Sequence, residues 1–294
     1  MQTPKIHRIP TRNGNLFSCV YGDLSKSSNI PLLTVHGGPG YCSDTLTVLS
    51  ALSEANNRPV IVYDQLGCGQ SDDPHDESTW NIVFYLQELQ QVINYYQLEQ
   101  YDLLGHSWGG TLACSHAVEQ PAGLRKLILS SPLISTPDWM KDTARRKREL
   151  PLETQAIIKQ HEAAGTVDSD AYQEAIGIFN AKFLCRLNPK PTLMINAFEK
   201  FNLDIYLAMW GPSEFNATGN LKHFSEVENL SKIKASTLLC SGFYDEIQPD
   251  TMQSYCDKLE NGKLHIFMQS SHTTLLEEPK EYLRVVEEFL QVSS

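Results

Sequence analysis

Six short apolar runs recur along the chain, each followed by a turn and then by a helical pattern: PLLTV from Pro31, PVIVY from Pro59, YDLLG from Tyr101, KLILS from Lys126, TLLCSG from Thr237 and KLHIF from Lys263. Runs this short and continuous suit strands buried on both faces, because a strand with one wet face alternates polar and apolar residues. Strands interleaved with helices specify the α/β class, a mostly parallel sheet flanked by helices. Between the runs, WNIVFYLQELQQVINYYQL places Ile82, Leu86, Leu89, Ile93 and Tyr96 at helical spacing on one face. A second helix follows Ser107 and continues to Glu119 and Gln120, where Pro121 stops it.

From about Ile134 to Leu230 the strand rhythm is lost and the text turns helical and polar, in DWMKDTARRKREL, PLETQAIIKQHEAAG and DAYQEAIGIFNAKFL. Strand-like runs resume at Thr237. The expected organisation is a sheet-bearing domain from residues 1–133 and 231–294, with a helical cap domain, residues 134–230, inserted over one edge of the sheet. There is no internal repeat.

The 294 residues carry a net charge of -11, which argues against nucleic acid as a partner and mildly favours cationic or amine-bearing ligands. The one basic cluster, ARRKRE from Ala144 to Glu149, is flanked by acids and is expected to be a solvated helix face. Seven cysteines at irregular spacings, with no CxxC, suit neither a disulfide framework nor a zinc site. The N-terminus lacks the apolar core of a signal peptide and no apolar run reaches membrane-spanning length, so no membrane partner and a cytoplasmic location are expected.

The chemistry concentrates after YDLLG, in Gly105-His106-Ser107-Trp108-Gly109-Gly110. G-x-S-x-G between a buried strand and a helix is a sharp turn that lifts the serine hydroxyl above the sheet, and its small neighbours allow the turn to be tight. A serine in a helix-capping turn would share the local pattern but not the partners that follow. A hydroxyl needs a base to take its proton, and the base needs an acid to hold its tautomer and stabilise its charge. On such a sheet they follow in the order Ser, acid, His. Asp245, in FYDEIQPD, stands in the loop after TLLCSG, at the carboxyl edge where ligand chemistry sits. Asp250, five residues on, reads as part of the next helix start. His272, in MQSSHTTLLEEP, is the one histidine of nine that follows such an acid in a post-strand loop; His265 lies inside the strand.

The loop HGGPG at His36 holds three glycines within five residues directly after a strand. A tetrahedral oxyanion needs two preorganised N–H donors, one from the residue after the nucleophile and one from an earlier strand-end loop. Trp108 and Gly38 are the expected donors. His36 is expected to brace the loop, which works through its backbone, and Cys68 in LGCGQS reads as a structural thiol.

Together HGGPG at His36, YDQLGCGQSD at Tyr63, GHSWGG at Gly105, MWGPSEF at Met209, GFYDE at Gly242 and SSH at Ser270 resemble the proline iminopeptidase family of α/β hydrolases over nearly the whole chain. The resemblance implies an α/β-hydrolase fold and a serine aminopeptidase that removes N-terminal residues, preferably proline. It also implies a free substrate N-terminus bound by Glu214, in GPSEF, and Glu246, beside Asp245. An ammonium leaving water needs opposing charge and acceptors, and carboxylates reject blocked amines. A cap closing one end of the cleft would admit a single residue before the scissile bond. Trp139, Phe179, Tyr206, Trp210 and Phe243 are the aromatics that could form a slot for a proline ring. The partners expected are short peptides or amino-acid amides with a free N-terminus, and no cofactor or metal is required.

An amino-acid amidase, esterase or lactonase would use the same triad, since all pass through an acyl-serine. The pair Glu214 and Glu246 favours the aminopeptidase or amidase side. A binding module without activity would have lost part of the triad or oxyanion loop. A metal-dependent hydrolase is disfavoured because neither HExxH nor clustered ligand spacing occurs. Halide and epoxide hydrolases of this fold carry an aspartate where this chain has Ser107.

Overall fold

The structure, a computed structural model, describes residues 3–291. Eight strands form one sheet: β1 (Lys5–Thr11), β2 (Gly14–Tyr21), β3 (Leu32–Val35), β4 (Val60–Tyr63), β5 (Tyr101–His106), β6 (Leu124–Ser130), β7 (Ser236–Gly242) and β8 (Gly262–Phe267). Their order is β1-β2-β4-β3-β5-β6-β7-β8, parallel from β4 through β8 and antiparallel at β1 and β2. The six apolar runs are β3 to β8. The hairpin of β1 and β2 escapes that pattern because β1 is an edge strand with only Ile9 fully buried and with Pro10 in it, so it carries no continuous apolar run.

Among the described residues the α-helices are α1 (Ala51–Asn56), α2 (Ile82–Tyr95), α3 (Trp108–Val118), α4 (Thr136–Lys147), α5 (Leu152–Ala164), α6 (Asp170–Phe183), α7 (Thr192–Glu199), α8 (Leu203–Met209), α9 (Pro249–Cys256), α10 (Thr274–Glu277) and α11 (Pro279–Gln291). Alternate residues of the central strands enter opposite cores. Leu103, Leu127, Leu129 and Leu239 pack with Leu89, Val92 and Leu112 of α2 and α3. Leu104, Ile128 and Leu238 pack with Leu52 of α1 and Val286 and Phe289 of α11. Both faces are therefore dry, and truncating one such leucine to alanine costs about 2–5 kcal/mol.

Helices α4 to α8 all lie between β6 and β7 and contribute no strand to the sheet. Part of this segment has a core of its own, with Tyr172, Phe179, Phe183 and Phe215 at its centre. The basic cluster of α4 departs from the solvated face expected of it. Arg146 is buried beneath the loop after β7, donating from Nε to the Asp245 carbonyl at 2.7 Å and from Nη2 to the Phe243 carbonyl at 2.7 Å, with its guanidinium over the Phe183 ring. Arg145 pairs with Asp142 and Asp250, and Lys147 with Glu162. The flanking acids Asp142 and Glu149 do pair with the cluster, but the Asp245 and Phe243 carbonyls, Asp250 and Glu162 are distant partners that only the packing of α4 supplies.

Because β3 to β8 run parallel, their carboxyl ends share one edge, and the loops carrying His36, Gln65, Ser107, Asp245 and His272 all emerge there. The seven cysteines are free and six are buried. Among the described residues, no helix is long and apolar enough to cross a membrane.

On α2, Leu89 and Ile93 are buried as the helical spacing predicts, and Glu88 is buried between them and the β4 loop. Its Oε2 accepts the Leu66 N–H at 2.8 Å while Oε1 has no hydrogen-bond partner. Burial pushes its carboxyl up to about 8, against the Leu66 hydrogen bond, which pulls it down. A carboxyl that holds its proton more tightly when folded stabilises the fold most below the unfolded value near 4.5, and that contribution fades as pH rises toward 8. Glu88→Gln is therefore expected to leave the melting temperature at pH 5 nearly unchanged and to raise it at pH 8.5. Thermal melts at both values check this, and equal shifts at the two would show that Glu88 is not the titrating group.

Candidate active site

Ser107 ends β5 and caps α3 with φ 56° and ψ −120°, a conformation that costs a residue with a side chain about 1–3 kcal/mol. Its N–H donates to the Ser130 carbonyl at 3.0 Å, and its own carbonyl accepts from Gly110 at 2.8 Å and Leu133 at 3.2 Å. Gly109 brings α3 onto β3 at backbone distance: an added Cβ would lie 2.1 Å from the Val35 carbonyl oxygen. The turn is thus held from three sides, and Ser107, half-buried, lines a cleft together with His272.

His272 Nδ1 donates to Asp245 Oδ1 at 2.9 Å, both side chains being buried, which leaves Nε2 as the ring's acceptor. Gly242 lets the two loops meet, since a Cβ there would stand 2.3 Å from the carbonyl oxygens of both Ser270 and Ser271. The His272 backbone is fastened on both sides. Its N–H donates to the Phe183 carbonyl at the end of α6, and its carbonyl accepts from His106 Nε2 at 3.1 Å and Ser131 Oγ at 3.0 Å. Trp139 of α4 stands edge-on to the imidazole, centroids 5.6 Å apart. Burial alone would lower the His272 pKa, but the charge and hydrogen bond of Asp245, with the charges of Glu214 and Glu277, raise it above 6.5. His106, which sequence reading passed over, is driven down to about 3 by burial and the nearby His272.

On the other wall, Gly37 and Gly38 face the same cleft, Gly38 at φ 117°. Trp108 opens α3, where N–H groups have no intrahelical acceptor. One side chain ties these two walls together. Gln65 Oε1 accepts from Trp108 Nε1 at 2.8 Å, Gln65 Nε2 donates to the His36 carbonyl at 3.2 Å, and the Gln65 N–H donates to His36 Nε2 at 3.0 Å. His36 Nδ1 then donates to the Gly37 carbonyl at 2.8 Å. His36 is fully buried with both ring nitrogens spent on the backbone, the arrangement of a brace.

Glu214 and Glu246 converge from different segments. Glu214, half-buried, lines the cleft and accepts from the Tyr206 hydroxyl at 2.6 Å, while its carbonyl accepts from Trp139 Nε1. Glu246 is fully buried, neither carboxylate oxygen has a hydrogen-bond partner, and Oε2 lies 3.6 Å from His272 Nδ1. Burial raises the Glu246 carboxyl well above its ordinary value, with the charges of Glu214 and Asp245 adding to it and Arg146 opposing. Burial likewise raises Glu214, against the Tyr206 hydrogen bond. Of the five aromatics expected near a ring slot, Tyr206 alone lines the cleft. Trp139 touches His272, Phe179 and Trp210 are buried in cores, and Phe243 is exposed. Tyr41, Phe198 and Phe201 line it instead. Tyr41 could have been found, since it follows HGGPG directly; the two phenylalanines come from helix ends whose facing no spacing reveals.

Among the described residues, Asp245, Glu246 and His272 form one group of metal-capable donors, with ligand atoms within 4.8 Å of one another. A cation there would compete with the hydrogen bond that orients His272.

Residues 30–279 match the α/β-hydrolase fold family. A proline iminopeptidase of Heyndrickxia coagulans is 41% identical over 261 residues, covering 88% of this chain and 90% of that protein. The chain belongs to the proline iminopeptidase family. Among solved structures, VinJ superposes with a TM-score of 0.93 at 33% identity, covering 98% of each chain, and the Mycobacterium smegmatis proline iminopeptidase with 0.90 at 32%, covering 97% of each. The chain is accordingly a serine hydrolase of the α/β-hydrolase superfamily.

The Gln65 bridge generates a test. Gln65→Ala frees the Trp108 indole and the His36 loop from one another without touching the cleft, and kcat is expected to fall about tenfold, below the 10²–10³ of deleting an oxyanion donor, with KM little changed. Steady-state kinetics decide it: a rise in KM at constant kcat would mean that Gln65 shapes substrate binding only.

Proposed function

We propose that the chain is a serine aminopeptidase that releases an N-terminal residue, preferably proline, from short peptides through an acyl-serine intermediate. The observation that carries this reading is the buried, unpaired carboxylate of Glu246 beside Glu214, next to a serine, histidine and aspartate held for nucleophilic attack. An ionised carboxylate out of water is costly until a cation and donors meet it, and a substrate ammonium supplies both.

In the proposed reaction His272, oriented by Asp245, takes the Ser107 proton through Nε2 as the hydroxyl attacks the carbonyl of the N-terminal residue. The Trp108 and Gly38 N–H groups hold the oxyanion, and His272 returns the proton to the leaving amine. Water then attacks the acyl-serine by the same route and frees the amino acid. Residues 134–230 act as the cap: Glu214 and Tyr206 close the amine end of the cleft, limiting what precedes the scissile bond to one residue. Amino-acid amides fit the same site with a smaller leaving group. A simple ester offers nothing to Glu214 and Glu246, so an esterase or lactonase role leaves the carboxylate pair without purpose. The seven free thiols accord with a cytoplasmic enzyme.

A panel of the prolyl, alanyl and leucyl anilides, N-blocked prolyl anilide and an acyl ester tests this. Wild type is expected to cleave the free prolyl anilide fastest and refuse the blocked one. Ser107→Ala is expected to lose about 10⁴-fold or more on every substrate, and Glu246→Gln to lose at least about tenfold on free amines while sparing the ester. Equal loss on the ester would remove Glu246 from amine recognition.

The pH profile on the ester, which has no amine for the carboxylates, isolates His272. The imidazole must be neutral to accept a proton, so kcat/KM is expected to fall as pH drops through a value above 6.5. Glu214→Gln removes a charge that raises this pKa and is expected to shift the acid limb to lower pH. A limb below 6.5 in wild type, or an upward shift in the variant, would contradict the assignment.

A further inference from the structure

Beside the cleft, α6 and α7 enclose an open groove lined by Gly177, Ala181, Leu184, Met194, Ile195 and Phe198. Leu184, Met194 and Phe198 also line the cleft of Ser107 and His272, so groove and cleft form one continuous surface. Its apolar side chains are uncovered: Ile195 is 46% and Phe198 48% exposed, although α7 buries Met194 and Ala197. Scattered apolar residues are ordinary on a protein surface, but a contiguous patch running into a reactive cleft marks a ligand surface. One polar group in it lacks a partner. Asn180, on the groove wall, has an Oδ1 that accepts no hydrogen bond, but the atom is buried and so is not presented to a ligand.

We propose that this groove is the subsite for the leaving peptide, taking an apolar side chain of the residue that follows the released one. The proposal rests on the aminopeptidase reading. In that reading Glu214, Glu246 and Tyr206 hold the amine end, and none of them lines the groove. The chain beyond the scissile bond must leave that closed end, and the groove is the apolar, solvent-open surface that continues from the cleft away from those carboxylates. The charged residues of the groove, Lys190 and Glu199, are of opposite sign, so selection there rests on the apolar wall.

The test compares kcat/KM of the full-length protein on proline amide and on the dipeptide amides Pro-Leu, Pro-Phe, Pro-Gly and Pro-Ser. Wild type is expected to prefer the Leu and Phe substrates over Gly and Ser about tenfold, the range that apolar pockets deliver. Gly177→Trp fills the groove from a position where an added Cβ meets nothing within 4 Å, so the fold has no reason to resist it. Ile195→Asp places a charge on the opposite wall. Both are expected to collapse the Leu-to-Gly ratio toward one, and Gly177→Ala to retain it; proline amide, which has no following residue, reports the reactive centre separately. Cleavage of proline amide by wild type without Leu-over-Gly discrimination would overturn the groove and leave the aminopeptidase reading standing. Failure on every free-amine prolyl substrate would sink that reading and the groove together. A wild type that sediments as a dimer, with Gly177→Trp monomeric, would make the groove an interface between copies and overturn its role as a subsite.

Discussion

The close approach of α3 to β3 is the constraint on which the catalytic edge depends. With a Cβ at residue 109 the helix could not sit over the Val35 carbonyl, and the chain leaving β5 would have room to turn without strain. Pressed to backbone distance, it must turn within one residue, and Ser107 takes the left-handed φ that this requires. Four backbone hydrogen bonds of Ser107, to Ser130, Gly110, Thr111 and Leu133, each worth about 0.5–1.5 kcal/mol net, offset a strain of about 1–3 kcal/mol. The same helix start aims Trp108 so that its indole reaches Gln65, and Gln65 in turn holds the glycine loop. The Ser107 turn and the glycine loop are therefore one mechanical unit.

The second organising element is a concentration of negative charge in a dry place. Asp245, Glu246 and Glu214 lie around His272, and Arg146 beside them has its guanidinium spent on the Phe243 and Asp245 carbonyls and on Glu149. Burial raises the carboxyls of Glu246 and Glu214, with the charges of Glu214 and Asp245 adding at Glu246. In the proposed reaction a substrate ammonium would relieve the cost of that burial. The helices between β6 and β7 also position the reactive loops. The end of α6 anchors the His272 backbone, α4 presents Trp139 to its ring and Arg146 to the acid loop, and α8 supplies Tyr206 to Glu214.

Much of this was legible before folding was considered. Continuous apolar runs mark β3 to β8 because both faces of those strands are dry, and G-x-S-x-G, HGGPG, Asp245 and His272 mark the edge because turns and triads impose residue types and chain order. The edge hairpin, with one buried residue in β1, left no such signal. Nor did Gln65, whose role needs two partners about 30 and 40 positions away, or Arg146, which looked solvated beside its sequence neighbours.

What the sequence determined by itself is therefore the class of sheet, the order of the reactive groups and the loops that bear them, since these follow from periodicity and from the chemistry of single residues. Tertiary structure alone decided which side chains meet. Glu246 faces inward without a partner, Tyr206 rather than Trp210 or Phe243 reaches the cleft, and Phe198 joins the cleft to an outer groove. Each of these depends on the rotation of a helix or loop against another segment, and that rotation is set by packing among residues far apart in the chain, which local spacing does not encode.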